Sequence, residues 1–388
     1  MNLDTRSRSR KRRATALPLA ALALAVSLSV QAAPAPAAVT VAPLPTRLDQ
    51  LLRNFTRAHP SIPGVALAVR TPTLSWAGAA GVADRASRKP LTAGAGFRIA
   101  SVTKTFTAAA ILRLVEDGRL ALNDPIRQHL SPATLALLRR GGYNVDRIRI
   151  KHLLQHTSGL YDYAGDPAFQ TLVVSHPHHH WTRAEQVRFA MKHGKPLAQP
   201  GAVFHYSDTG YVLLGEILER RTGGSLATAY RTLLHFNQLG LVNTYLETLE
   251  PKPPHANQRA HQYLDTIDTA GFDPSFDLYG GGGLVSTVDD LARFYRALLG
   301  GHVLKNPATL RTMLGKPRST YPRDLAMGIF TESIGQTDCW HHDGFWGTTV
   351  LHCPRSNATV AITVNQASDV DAAIHQLDAA VLRLVNRT

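Results

Sequence analysis

The segments of this chain that read as β-strand lie toward its two ends, and a mostly helical stretch separates them. Ile62-Pro63-Gly64 opens a strand over Val65 to Arg70, a second runs through Leu74 to Ala80, and Pro72 falls in the turn region between them. Toward the other end, Trp340 to His341, Thr348 to Cys353 and Ala358 to Asn365 have the same character. Helical spacing governs most of what remains. Leu48, Leu51, Leu52 and Phe55 share one face of Thr46 to His59, further helices are expected at about 101–117, 182–193, 208–231 and 289–299, and Asp369 to Val385 closes as an amphipathic helix. The pattern predicts an α/β (α+β) fold: one antiparallel sheet built from both ends, flanked by N- and C-terminal helices and interrupted by a mostly helical insertion. Residues 39–100 with 278–388 would form the sheet-containing part and 101–277 the helical part.

Residues 1–38 stand apart as a signal peptide and processing region. Arg6, Arg8, Arg10, Lys11, Arg12 and Arg13 precede an uncharged apolar run from Ala14 to Val30, and small residues at Ala32 and Ala35 offer a cleavage site. An uncleaved anchor is the alternative, although the run of about 17 residues is near the lower limit for a span and contains Pro18. No second run of spanning length follows, so no membrane span is expected after signal removal, and the protein is expected to be secreted or periplasmic. With residues 1–32 gone the formal charge falls from +14 to +9. The remaining Lys and Arg are scattered without interleaved aromatics, which argues against nucleic acid as a partner. In an oxidising compartment Cys339 and Cys353, flanking a turn that contains Gly344 and Gly347, are either a bridge between neighbouring strands or two buried thiols.

The chemistry concentrates in a few segments. Ser101-Val102-Thr103-Lys104 places a hydroxyl and an amine three residues apart on one helix face, where the amine can accept the proton of a serine nucleophile. Alone this spacing carries little weight, and Gly-x-Ser-x-Gly is absent. Three other segments support it, one of them His152 to Leu160, a helix end followed by a polar turn. Tyr206-Ser207-Asp208 follows a Pro200-Gly201 turn just ahead of a helix, and Trp340-His341-His342-Asp343-Gly344 puts a histidine at a strand end beside a glycine.

Over roughly residues 46–385 the chain resembles the penicillin-recognising serine hydrolases, which include class C β-lactamases, D-alanyl-D-alanine carboxypeptidases, D-aminopeptidases and related esterases. Ser101 to Lys104 looks like the nucleophile motif, Tyr206 to Asp208 like Tyr-x-Asn, and His342-Asp343-Gly344 like Lys/His-x-Gly. The resemblance implies a β-lactamase/transpeptidase-like fold and an acyl-enzyme on Ser101, with Lys104 and Tyr206 sharing the proton transfers. A phenol serves as a base only if its pKa is pulled down from about 10, a task for Lys104 and a protonated His342. The backbone N–H groups of Ser101 and Phe345 would hold the oxyanion, each worth on the order of 3 kcal/mol. Asp208 stands where the family usually has Asn. It either pairs with Lys104 or faces a cationic amine on the substrate, since a carboxylate only accepts hydrogen bonds. His342, when protonated, would bind a substrate carboxylate, and Gly344 lies beside it.

No metal and no cofactor is expected. His152 and His156 have zinc-helix spacing but lack the following Glu, and the His176 to His180 tract sits in a polar loop. The Gly280 to Gly283 run lacks the Lys-Ser/Thr of a phosphate loop and suits close backbone approach beside a cleft. The expected partner is a small-molecule or peptide substrate, peptidoglycan-derived in the leading reading of a D-alanyl-D-alanine carboxypeptidase-like peptidase or amidase. A β-lactamase, an esterase and an inactive binding relative are the alternatives. Specificity would come from loops around Tyr161 to Tyr163, Phe272 to Tyr279 and Phe345 to Trp346.

Overall fold

The computed structural model describes residues 42–254, 256–315 and 326–386; the expected signal region lies outside them. From residue 42 onward the chain forms one compact unit. Its main helices are α1 (Leu44–Ala58), α2 (Thr103–Glu116), α3 (Arg183–His193), α4 (Asp208–Thr222), α5 (Leu226–Leu233), α6 (Val288–Leu299) and α7 (Asp371–Val385). The strands that matter here are β1 (Gly64–Arg70), β2 (Ser75–Gly81), β3 (Phe97–Arg98), β4 (Tyr245–Leu246), β5 (Leu284–Ser286), β6 (Phe330–Ile334), β7 (Thr337–Gly344), β8 (Thr348–Cys353) and β9 (Ala358–Val364).

Among the described residues, six strands form an antiparallel sheet in the order β2-β1-β9-β8-β7-β6, so the two ends of the chain meet at the β1/β9 pair. Both faces of its centre are covered. Val65, Leu67 and Val69 of β1 join Val360, Ile362 and Val364 of β9 in a cluster with α1 and α7, while Ala66, Ala68 and Ala361 face α6 on the other side. The alternation of branched and small residues therefore has a steric reason: alanines let α6 lie close, and the larger side chains fill the space beneath the terminal helices. A smaller sheet, β3-β5-β4, adjoins the helical region. Its strands are two or three residues long, too short to show alternation in sequence.

Within the helical region, the expected helix at 208–231 is two helices. Gly223 adopts φ 73° and ends α4, and Ser225 caps α5 by accepting the Thr228 N–H. α2 is buried almost all round, and its polar side chains are satisfied internally. Thr105 donates to the Gly328 carbonyl at 2.7 Å and Thr107 to the Gly280 carbonyl at 2.7 Å. One apolar cluster runs from Ala66 and Ala361 of the sheet through Phe106 to Leu213 and Tyr230, across the expected boundaries at 100/101 and 277/278. Cys339 and Cys353, on neighbouring strands, are joined in a disulfide.

His352 sits 6 % exposed on β8, its Nδ1 2.8 Å from the Thr359 hydroxyl, and burial with nearby Arg296 pushes its pKa down from 6.5 to about 4. A depressed histidine contributes stability that is intact above the unfolded value and lost as pH falls through the folded one. Buried acids with raised values, such as Asp290 and Asp378, slope the other way. His352→Gln is therefore expected to lose less stability than the parent between pH 7 and about 4, measured as the difference in Tm between the two proteins at each pH.

Candidate active site

The nucleophile turn is set by backbone geometry. β3 runs into a 3-10 turn, Ala100–Val102, in which Ala100 takes φ 43°, and α2 follows directly. A non-glycine residue in the left-handed region is uncommon and concentrates at functional sites. Ser101 thus comes to the edge of a cleft while Lys104, one turn on, is fully buried.

The Lys104 ammonium donates to Ser101 Oγ at 2.8 Å, to Asp208 Oδ1 at 2.5 Å and to the Gly281 carbonyl at 3.0 Å. Those three bonds use every proton of the ammonium. Burial alone would lower the amine's pKa, but the charge and hydrogen bond of Asp208, with Tyr206, hold it above its ordinary value. Of the two roles open to Asp208, pairing with Lys104 is the one the geometry has. Asp208 is the first residue of α4, where Ser207 caps the helix by accepting the Gly210 N–H. Gly281 must be glycine for the cluster to close, since a Cβ there would lie 2.5 Å from Asp208 Oδ1.

The Tyr206 ring lies over Lys104, with Nζ 4.9 Å from its centroid, and its hydroxyl interacts with both Lys104 and Ser101. Here an expectation is corrected. Burial raises the phenol's pKa, Lys104 offsets this only in part, and Asp208 raises it further, so the resting phenol is neutral. The second cation assigned to that task is also missing. His342 is 3 % exposed, and burial beside Lys104 pushes its pKa down to about 3. Its Nδ1–H donates to the Asp343 carbonyl at 2.8 Å, and its ring sits edge-on to Phe330. His342 is thus a neutral imidazole packed beneath the site, without the charge that the expected contact with a substrate anion calls for. Gly344 is where the strand end presses on the nucleophile turn: a Cβ there would meet the Ile99 carbonyl at 2.2 Å. Phe345 follows at the cleft rim, 55 % exposed, so the two segments expected to supply the oxyanion N–H groups border the same cleft.

Several residues were not assigned to this site from sequence. His156, in a left-handed turn at φ 52°, stacks 4.3 Å from the Tyr206 ring and accepts the Ser207 N–H on Nδ1 at 3.0 Å; burial next to Lys104 keeps it neutral. His152 likewise accepts the Arg149 N–H, so the zinc-like pair serves the backbone. Asp162 accepts the N–H of Asp208 at 2.9 Å and those of Ala164 and Gly165. Burial and the charge of Asp208 push both Asp162 and Asp277 up to about 7. Both carboxylates lie in the loops flagged for specificity, but nothing in the sequence distinguishes them from other loop aspartates.

The cleft above Ser101 has a volume of about 400 Å³ and is walled by Phe169, Val173, Phe272, Phe276 and Trp346. A larger depression of about 940 Å³ at the far end of the sheet, bordered by Leu74, Arg355 and Arg383, contains none of these groups. Asp84, His261 and Asp268 cluster outside the cleft, where His261 hydrogen-bonds Asp268 and Asp84 accepts the Ala86 N–H.

The family described as Beta-lactamase matches residues 48–383. Penicillin-binding protein 4* of Bacillus subtilis (strain 168) is 29 % identical over 248 residues, 61 % of this chain and 52 % of that protein. This chain therefore spans about half the length of that relative. Esterase EstB of Burkholderia gladioli is 30 % identical over 283 residues, 66 % of this chain and 70 % of the esterase. Among solved structures, D-amino acid amidase from Ochrobactrum anthropi SV3, complexed with L-phenylalanine amide, superposes with a TM-score of 0.74 at 26 % identity, covering 89 % of this chain and 99 % of the amidase.

Asp208 raises the pKa of both Lys104 and Tyr206, so its neutralisation lowers both. Asp208→Asn is expected to move the basic limb of the kcat/KM profile downward by about 1–3 pH units. A limb that stays in place would show that neither group sets it.

Proposed function

This chain belongs to the Beta-lactamase family and is a serine hydrolase working by acyl transfer, and from that premise we propose that it is an exported hydrolase of small amides and esters that carry no carboxylate beside the scissile bond. The observation that carries the substrate reading is the charge of the cleft. Asp162, Asp208 and Asp277 line it, Lys104 is consumed by its three hydrogen bonds, and no Arg or Lys is among the described residues that border it. A D-alanyl-D-alanine peptide or a β-lactam presents a carboxylate that needs a cation here, and neutral His342 offers none. Amidase-like and esterase-like activities gain relative to carboxypeptidase and β-lactamase.

In the proposed mechanism, Ser101 Oγ attacks the carbonyl carbon, the bond to the leaving nitrogen or oxygen breaks, and an acyl-serine ester forms. Because the resting phenol is neutral, Tyr206 passes its hydroxyl proton to the leaving group as it takes the proton of Ser101, so no prior ionisation is required. Charged Lys104 stabilises the phenoxide character that develops between the two transfers. Water then cleaves the ester by the reverse relay, with the N–H groups of Ser101 and Phe345 on the oxyanion. A fluorophosphonate probe should label Ser101 and fail to label Ser101→Ala. A panel of a phenylalanine amide, a short-chain p-nitrophenyl ester, a D-Ala-D-Ala peptide and a chromogenic cephalosporin should show turnover of the first two. Preferential turnover of the carboxylate-bearing pair would overturn the substrate reading.

The basic and apolar segment at residues 1–38 supports export, and so does a disulfide, which persists in oxidising compartments. Mass spectrometry of the protein recovered outside the cytoplasm should find its N-terminus beyond the apolar run and no thiol that alkylates before reduction. A chain retaining residues 1–30, or two free thiols, would count against this reading.

A further inference from the structure

We propose that Asp277 is a specificity-determining residue that binds a primary ammonium group on the acyl part of the substrate, which makes amino-acid amides and esters with a free amine and an apolar side chain the preferred class. This rests on the serine hydrolase reading above and adds to it the identity of the group recognised.

Three observations lead there. First, Asp277 lines the cleft that holds Ser101, Tyr206 and Asp208, beside Phe272, Phe276 and Trp346, and no hydrogen bond from the described residues to its carboxylate lowers its pKa. The other carboxylates of the cleft are occupied. Asp208 binds Lys104, and Asp162 caps the backbone N–H groups of Ala164, Gly165 and Asp208. Second, the two cations near enough to act on Asp277, Lys104 and Arg98, are hydrogen-bonded to other groups. Arg98 bonds Glu247 and the carbonyls of Thr269 and Phe272, and Lys104 has used its three protons. Asp277 is partly exposed at the cleft wall, and a carboxylate kept there without a partner is matched to a ligand that supplies the missing charge. Third, the chain makes room for it. A Cβ at Gly282 would lie 2.2 Å from one Asp277 carboxylate oxygen and 2.3 Å from the other, so the carboxylate holds its present position only because residue 282 is glycine. Gly282 follows the residue whose carbonyl receives the Lys104 ammonium, which ties Asp277 to the nucleophile through one short, crowded strand of backbone.

The walls define the rest of the ligand. Phe169, Val173, Phe276 and Trp346 offer aromatic and aliphatic surface, and a cleft of about 400 Å³ suits one amino-acid residue with a large apolar side chain. An ammonium between Asp277 and this surface satisfies the carboxylate while the side chain is withdrawn from water.

The test compares matched substrates with the full chain: phenylalanine p-nitroanilide in both enantiomers, and 3-phenylpropionyl p-nitroanilide, which differs only in lacking the amine. The parent protein should favour the amine-bearing substrate, and in Asp277→Asn the ratio of kcat/KM values for the pair should fall by about 10-fold or more. An unchanged ratio in a variant whose Tm matches the parent's, or a parent that favours the deaminated substrate, would overturn the proposal. If the variant does not fold, inhibition of the parent's ester hydrolysis decides: phenethylamine should inhibit more strongly than 2-phenylethanol, and equal inhibition would sink the assignment. Absence of turnover on every substrate together with an unlabelled Ser101 would instead refute the serine hydrolase reading, so the two failures are separable.

Discussion

The buried ion pair between Lys104 and Asp208 is the contact around which this site is organised. It joins the first turn of α2 to the first residue of α4, and the Gly281 carbonyl closes the third side. Lys104 is 0 % exposed and Asp208 only 6 %, so removing either partner alone strands a charge in the interior, at a cost on the order of 3–5 kcal/mol. Such a pair is weak evidence for stability as such, because an apolar replacement can do as well. Its value here is positional. Ser101 Oγ, the Tyr206 ring and the backbone at Gly281 are each held at a defined place relative to one ammonium.

The neighbours of that ammonium have been kept uncharged. His156 and His342 are both buried near Lys104, and in both the cost of burying a second positive charge beside the first depresses the pKa. Each imidazole instead spends Nδ1 on the backbone, accepting from Ser207 in one case and donating to the Asp343 carbonyl in the other. They act as shaped, neutral supports: His156 under the Tyr206 ring, and His342 behind the strand end that carries Gly344 and Phe345. The carboxylates follow the opposite logic. Asp162 and Asp277 crowd the charge of Asp208, and both are pushed up accordingly.

The large-scale design was legible in the sequence because it rests on periodicity. β1 and β9 alternate branched and small residues over long runs, and α1 and α7 each carry a continuous apolar face, so their existence follows from local pattern. The nucleophile segment, Tyr206 and the glycine run were also readable, because their residue types have few other uses together. What sequence did not reveal has a common cause. The strands β3, β4 and β5 are two or three residues long, and the division of 208–231 into two helices turns on the single left-handed position at Gly223. The charge state of His342 is set by burial and by Lys104, neither of which is local to it in the chain. Asp162 and Asp277 acquire their character only when folding brings them to Asp208 across 46 and 69 residues, respectively.

A carboxylate at position 208, where the resemblance to the Tyr-x-Asn motif implies an amide, changes what the rest of the cleft has to supply. An amide side chain can give one face to the lysine and use its N–H to hold a substrate carbonyl, whereas Asp208 has only acceptors and turns one of them to Lys104. Substrate recognition at this position is thereby limited to donors. The same charge adds to burial in raising the neighbouring acids and favours the ammonium form of Lys104, and in the proposed mechanism the lysine is therefore a fixed cation and Tyr206 carries the proton relay. One residue thus couples two properties that vary separately in a neutral site: which group carries the proton, and which sign of charge the cleft prefers in its ligand. In the proposed substrate reading, such a cleft admits a cationic or neutral acyl group at little electrostatic cost and opposes an anionic one through its carboxylates, without any wall residue having to contact the excluded group.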